Sequence, residues 1–112
     1  MLKTISAAVA ALCCFALPSE GSSTMLASWY GPGFHGRLTA NGERYDMYGL
    51  TAAHKTLPFG TRLEVCYRGC TTVRINDRGP FIGARELDLS YGAAKAVGLV
   101  NSGVANVQIS FI

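Results

Sequence analysis

Few of the side chains that usually carry enzyme chemistry occur in this chain. Its 112 residues include only seven acids, two histidines and four cysteines. No segment matches the Gly-x-Ser-x-Gly turn of serine hydrolases, the His-Glu-x-x-His helix of zinc proteases or a glycine loop that holds phosphate. These absences argue against the commonest nucleophilic, metal-dependent and nucleotide-dependent mechanisms. We therefore expect neither a metal nor another cofactor.

Long hydrophobic runs are also missing, except for one near the N-terminus. The apolar stretch from Ile5 to Leu17 follows Lys3 and precedes Pro18, which is the layout of a secretory signal peptide. The stretch is too short to span a bilayer comfortably. We predict a signal peptide over residues 1–24 and one domain over residues 25–112. The mature chain would then be exported to the periplasm or the cell exterior and would contain no membrane span.

A strong charge of either sign is absent as well. The formal net charge is +3, and the ten lysine and arginine residues are scattered along the chain. A weakly basic chain of this kind argues against a nucleic-acid partner and suits an anionic polymer such as a cell-wall glycan. After the leader, about 90 residues remain, enough for one small domain with a thin core. We expect this domain to be a monomer.

Helical periodicity is limited to one short segment, whereas glycines interrupt the rest of the chain at short intervals. This pattern predicts a mainly β domain. Strands are expected at "MLASWYG", Leu50–Ala53, "RELDLS" and "VANVQISFI", with a turn at Asn41-Gly42. The helix is expected over "YGAAKAV", capped by Ser90 and ended by Gly98. Six or so short strands with one helix suit a closed barrel, which leaves no sheet edge exposed.

The segment "TRLEVCYRGCTTVRIND" predicts a hairpin with a three-residue loop. If Cys66 faces Cys70 across that loop, Leu63 pairs with Val73 and the apolar side chains share one face. A disulfide between the two cysteines demands the same register. The alternative is a zinc site, but no second cysteine pair or suitably spaced histidines complete it. We expect the disulfide.

One carboxylate is unusual in its position. Asp77 lies in "RINDRGPF", where a predicted strand ends beside Arg78 and a Gly-Pro turn begins. An aspartate at such a place is either a turn former that bonds nearby backbone amides or an acid presented at the mouth of a site. Composition favours the turn former, and the strand-end position favours the acid.

Other polar and aromatic residues also have two interpretations. Glu43 and Asp46 in "NGERYD" would ordinarily be solvated loop acids, and His54 in "TAAHKT" would ordinarily be a structural histidine. Trp29 and Tyr30 in "SWYGPGFHG" could belong to the core. The density of aromatic residues and glycines there also suits a platform on which sugar rings stack.

Three segments together resemble a known family. "ASWYGPGFHGRLTANGERYD", "LTAAHKTLPFGT" and "RINDRGPFIGARELDLSYGAAKAVGL" are similar to the double-psi β-barrel domain of the rare lipoprotein A family of septal-ring lytic transglycosylases. The resemblance implies a six-stranded double-psi β-barrel with one short helix. It also implies an endolytic enzyme that cleaves peptidoglycan glycan strands, particularly strands without stem peptides. In that reaction the 6-hydroxyl of N-acetylmuramic acid attacks its own anomeric carbon and leaves a 1,6-anhydro end.

The resemblance also assigns roles to individual residues. Asp77 becomes the catalytic acid and base, because one carboxylic acid can protonate the leaving oxygen and then accept the hydroxyl proton. The absence of a dedicated second carboxylate favours the lytic reaction over inverting hydrolysis, although Asp46 could serve as that second group. Expected to bind the glycan are Glu43, Asp46, His54, Trp29, Tyr30, Asn76 and Arg78.

The chain departs from the family in ways that leave other functions open. It lacks the usual lipid-attachment signal and a C-terminal peptidoglycan-binding repeat, so we expect a free secreted barrel. The main alternative is an expansin or barwin-like module, which binds or loosens polysaccharide with little bond cleavage. A barrel endoglucanase is a third alternative, which would need two working carboxylates and would leave reducing ends.

Overall fold

Alternating apolar and polar residues form six strands in residues 22–112, the part of the chain that the computed structural model describes. The strands close into a barrel in the order β1-β5-β2-β4-β3-β6. Two neighbouring pairs, β1 with β5 and β2 with β4, are parallel, and the other four pairs are antiparallel. The expected closed barrel is confirmed. The strands are β1 (Ser22–Tyr30), β2 (Thr51–His54), β3 (Arg62–Cys66), β4 (Cys70–Asp77), β5 (Leu87–Ser90) and β6 (Ala105–Phe111).

The predicted leader lies mostly outside the described residues, which begin at Ser22. Strand β1 already pairs with β6 from Ser22 onward, through Ser22 with Ser110 and Thr24 with Gln108. The predicted boundary between leader and domain, at residue 25, therefore falls within the first barrel strand. Within residues 22–112, no helix has the length and apolar character needed to cross a membrane.

The barrel interior is filled by aliphatic side chains from one face of each strand. Helix α1 (Tyr91–Val97) covers this core with the side chains of its buried face. The hydroxyl of Ser90 accepts the Ala93 N–H, and Gly98 ends the helix at a φ of 79°, so both predicted helix signals are confirmed. The largest fully buried apolar residues are Leu63, Val65, Val73, Ile75, Leu87, Leu89, Val97, Leu99, Val107 and Ile109.

The predicted hairpin is confirmed in its register and its disulfide. Cys66 is bonded to Cys70, and Leu63 lies opposite Val73. The tip of the hairpin also docks against the end of α1, because the N–H groups of Arg68 and Gly69 both donate to the Val97 carbonyl. The disulfide therefore constrains a loop that hydrogen bonds already hold in place.

Removing the disulfide should cost stability without affecting chemistry at Asp77. A loop this short contributes about 2 kcal/mol in the chain-entropy model. Asp77 lies at the opposite end of β4, about 23 Å from Cys70 at the rise of an extended strand. In the double variant Cys66→Ser and Cys70→Ser, urea unfolding should show this loss, and any activity that depends on Asp77 should stay within twofold. A large loss of activity in the folded variant would show that the hairpin tip is coupled to the distant site.

Candidate active site

An open cavity of about 630 Å³ lies where the ends of β1 and β4 meet β5 and the loop between β4 and β5. Its volume lies in the range of small-ligand sites. The chain enters the loop at Gly79, whose φ of 123° is a conformation that favours glycine. The cavity is lined by Trp29, Tyr30, Gly31, Pro32, Phe34, Ala53, Asp77, Arg78, Gly79, Pro80, Phe81, Ile82, Arg85 and Asp88.

Asp77 is held in the cavity by three hydrogen bonds. One carboxylate oxygen accepts the backbone N–H groups of Ala40 and Arg78, each at 2.9 Å. The other oxygen accepts the hydroxyl of Tyr30 at 3.3 Å. The two backbone contacts are those expected of a turn former, whereas the cavity position is that of a presented acid. Asp77 therefore has both the contacts of a turn former and the position of an acid presented to a cavity.

A second carboxylate, Asp88, lies in the same cavity, and the sequence reasoning missed it. Ala53 of β2 is in register with Asp77 on one side and with Asp88 on the other, so the two aspartates flank one position across three adjacent strands. Two strand spacings separate their backbones by about 10 Å. Asp46 was the second carboxylate considered from the sequence, whereas the carboxylate that lines the cavity with Asp77 is Asp88. The signal was present in "RELDLS", where Asp88 alternates with two buried leucines.

The surroundings of Asp88 favour its protonated form. Burial raises the pKa of this carboxyl, and the negative charge of Asp77 raises it further. The Ser28 hydroxyl, which donates to Asp88 at 2.9 Å, and the Arg85 guanidinium both act to lower the pKa. The net shift is upward, so Asp88 keeps its proton to higher pH than an exposed aspartate.

Aromatic residues form one wall of the cavity. Tyr30 stacks on Tyr45 with ring centroids 4.4 Å apart and meets the edge of Phe34 at 5.6 Å. Burial and the nearby Asp77 raise the pKa of Tyr30, so its hydroxyl remains a hydrogen-bond donor. Trp29 donates its ring N–H to the Val100 carbonyl. Tyr45 is 2% exposed and belongs to the core, whereas Phe34 is 50% exposed at the cavity mouth.

Glu43 lies beside the cavity and anchors the loop that supports Asp77. Its carboxylate accepts two hydrogen bonds from Arg74, at 2.8 and 2.9 Å, and further bonds from Asn76 and Asn41. These donors, with Arg74 first, lower the pKa of Glu43 to about 2. Glu43 is therefore an ionised anchor that fixes the segment from which Ala40 donates to Asp77.

The other predicted glycan-binding residues are distributed around this loop and the cavity. Asn76 is 1% exposed, so its amide is available to Glu43 and not to the cavity. Asp46 is exposed and accepts the Tyr48 N–H in a local turn. The ring of His54 accepts the N–H groups of Thr56 and Leu57, and burial lowers its pKa. Trp29, Tyr30 and Arg78 line the cavity with Asp77, whereas Glu43, Asp46, His54 and Asn76 do not.

Only one group of potential metal ligands is close enough to share an ion within residues 22–112. It comprises Glu64, Cys66 and Cys70 at the hairpin. Because the two sulfur atoms are bonded to each other, they are not available as thiolate ligands. The cavity itself offers two carboxylates, a tyrosine hydroxyl and two guanidinium groups, which suit proton transfer and the binding of a polar ligand.

Comparisons with known proteins agree with this architecture. A family model described as lytic transglycolase matches residues 22–109. The probable endolytic peptidoglycan transglycosylase RlpA of Synechocystis is 60% identical over 90 residues, covering 78% of this chain and 28% of the relative. RlpA of Vibrio cholerae is 56% identical over 89 residues, covering 77% of this chain and 34% of the relative. The chain thus spans about a third of the length of these curated relatives or less.

Solved structures support the barrel topology. A papain inhibitor from Streptomyces superposes with a TM-score of 0.65 at 23% identity, covering 81% of this chain and 94% of the inhibitor. An expansin of Clavibacter michiganensis, solved as a variant in complex with cellohexaose, superposes with a TM-score of 0.66 at 19% identity, covering 81% of this chain and 50% of the expansin. At these identities the likeness concerns the fold, and it confirms the expected double-psi β-barrel.

Proposed function

Because this chain belongs to the lytic transglycolase family, as a double-psi β-barrel of the RlpA type, we propose that it cleaves peptidoglycan glycan strands in the cavity that contains Asp77 and Asp88. The observation that carries the proposal is the pair of aspartates flanking Ala53 in an open cavity with aromatic walls. Carboxyl groups beside a sugar-sized cavity can supply the proton transfers of glycosidic bond cleavage, either as one group acting twice or as a pair.

The proposed reaction uses the two carboxyl groups in different protonation states. Asp88, whose pKa is raised by burial, donates a proton to the glycosidic oxygen as the bond to the anomeric carbon breaks. Asp77, oriented by its three hydrogen bonds, accepts the proton of the muramic acid 6-hydroxyl as that oxygen bonds to the same carbon. No water is consumed. Proton exchange with solvent then returns both carboxyl groups to their starting states.

The remaining site residues bind and position the glycan in this proposal. Exposed Phe34 and the half-buried Tyr30 and Trp29 provide surfaces against which sugar rings pack. Glu43 affects Asp77 indirectly, because it fixes the loop whose Ala40 N–H orients the Asp77 carboxylate. Peptidoglycan lies outside the cytoplasm, so the proposal also requires that the protein be exported, as the leader in the sequence predicts.

The products distinguish this function from its competitors. After incubation with peptidoglycan, intact or stripped of stem peptides, mass spectrometry should find muramic acid ends lighter by one water than hydrolysed ends. The second carboxylate makes hydrolysis the specific competitor, and reducing ends as the main product would establish it. Retained glycan binding without any product would instead support a module that binds or loosens polysaccharide.

A further inference from the structure

One exposed aromatic residue outside the cavity lies in a firmly fixed loop. Tyr48 is 67% exposed and precedes β2 by three residues. The backbone on either side of it is bonded to the start of α1. The Gly92 N–H donates to the Met47 carbonyl at 2.7 Å, and the Ser90 hydroxyl donates to the Gly49 carbonyl at 2.6 Å. The Tyr48 ring is therefore presented to solvent from a main chain that is held in place.

The glycine at position 92 shows how closely this loop packs on the helix. A Cβ atom there would lie 2.5 Å from the Tyr48 carbonyl oxygen and 2.8 Å from the Gly49 carbonyl oxygen. Neither separation leaves room for a side chain, so the close approach requires glycine. A ring on a main chain fixed in this way loses little backbone freedom when a ligand covers it, which favours binding.

Tyr48 belongs to a row of aromatic side chains that begins in the cavity. Trp29 lines the cavity, and its ring centroid lies 5.5 Å from that of Tyr91. The Tyr91 and Tyr48 rings meet edge-on with centroids 6.1 Å apart, and the Tyr48 and His35 rings do so at 5.6 Å. These are ordinary separations for aromatic pairs. Trp29, Tyr91, Tyr48 and His35 form the aromatic row, and of these four Trp29 alone lines the cavity.

The spacing and the chemistry of the aromatic row suit a linear sugar chain. Its consecutive rings are 5.5 to 6.1 Å apart, which is close to the length of one sugar residue in a glycan strand. Successive sugars can therefore contact successive rings, each of which offers an apolar surface. The exposed carboxylate of Asp46 accepts the Tyr48 N–H at 3.0 Å and provides an acceptor for sugar hydroxyl groups beside the row.

We propose that the aromatic row is a second glycan-binding site, which holds the part of the strand that extends beyond the cavity, with Tyr48 as its main contact. This inference rests on the proposed function, because it takes the strand cleaved in the cavity as the ligand. The row contacts sugars that do not react, so it increases the affinity for long strands and leaves that for short ones unchanged. Asp46 then binds glycan at the row and not in the cavity.

The test compares two ligands that differ only in length. A tetrasaccharide and an octasaccharide of peptidoglycan glycan, both without stem peptides, are titrated by calorimetry in the Asp77→Asn background. We expect Tyr48→Ala to weaken octasaccharide binding about tenfold, because the apolar ring surface that the sugar covered is lost. Tetrasaccharide binding should stay within twofold. Tyr48→Phe keeps the ring and should bind both ligands as before.

Tyr67→Ala is the matched control. It removes the same side chain from the hairpin tip, at the end of β4 opposite Asp77, and should leave the affinity for both ligands unchanged. A second measurement leaves the row intact: in NMR spectra, the ring proton signals of Tyr48 should shift with the octasaccharide and not with the tetrasaccharide.

Three results would overturn the inference: unchanged octasaccharide binding in Tyr48→Ala, equal weakening for both ligands, or Tyr48 signals that do not respond to the octasaccharide. The proposed function can fail separately. A length preference that depends on Tyr48, in a protein whose unsubstituted form yields no cleavage products, would support the second binding site and contradict the proposed function. Cleavage by a protein that shows no such preference would do the reverse.

Discussion

Replacing Asp77 by asparagine should lower glycan cleavage about a thousandfold, within the range attributed to a positioned acid or base. The amide has nearly the same shape and its oxygen still accepts the N–H groups of Ala40 and Arg78, so the fold and glycan binding should be retained. The amide cannot accept the proton of the attacking hydroxyl, and the chemical step is lost. The rate of product formation by mass spectrometry measures this effect.

The matched control for Asp77→Asn is Glu64→Gln. It makes the same change from carboxylate to amide at an exposed position on β3, outside the cavity, and should keep full activity. Unchanged thermal unfolding of the Asp77 variant would show that the loss is chemical. Cleavage within tenfold of the unsubstituted protein would mean that Asp77 is only a turn residue, as its backbone hydrogen bonds by themselves would suggest.

Replacing Asp88 by asparagine should lower cleavage by about a hundredfold or more, because the amide cannot donate an acidic proton to the leaving oxygen. In the double variant, the free-energy effects of Asp77→Asn and Asp88→Asn on catalysis should not be additive, since the two groups act on one bond. If Asp88→Asn retained full activity, the single-carboxylate mechanism would stand and Asp77 would perform both proton transfers.

The pH dependence tests the role of Asp88 more selectively. The protonated form is the active one in this mechanism, so activity falls as pH rises through the pKa of Asp88. The hydrogen bond from Ser28 lowers that pKa, whereas burial and Asp77 raise it. Ser28→Ala should therefore raise the pKa further and move the alkaline limb of the rate profile to higher pH, with the enzyme still active. An unchanged or lowered limb would remove Asp88 from the acid role.

Local chemistry explains which parts of the fold could be predicted. The hairpin register followed from alternation and the spacing of Cys66 and Cys70, and the helix ends followed from Ser90 and Gly98. These features depend on neighbours in the sequence. The closing order of the barrel depends on long-range pairing of parallel and antiparallel strands, which periodicity does not specify. The family resemblance supplied the double-psi β-barrel architecture.

The candidate site was predictable in part for the same reason. Asp77 was identified because a Gly-Pro turn marks the end of its strand. Asp88 lies within a short strand, and its partner on the adjacent strand β2, Ala53, carries no signal in the sequence. Asn76 and Glu43 were grouped with the ligand-binding residues, yet burial directs Asn76 to Glu43. Whether Glu43 reaches the cavity or contacts Asn76 depends on which face of its loop packs against β4.

The most direct test of the proposed lytic reaction is cleavage of stem-peptide-free glycan in water labelled with heavy oxygen, followed by mass spectrometry of the new ends. The lytic reaction should produce 1,6-anhydro ends without label, because the attacking oxygen comes from the sugar itself. These products should disappear in Asp77→Asn. Labelled reducing ends would contradict the lytic reaction, since they would show that the carboxylates activate water and that the barrel is a hydrolase.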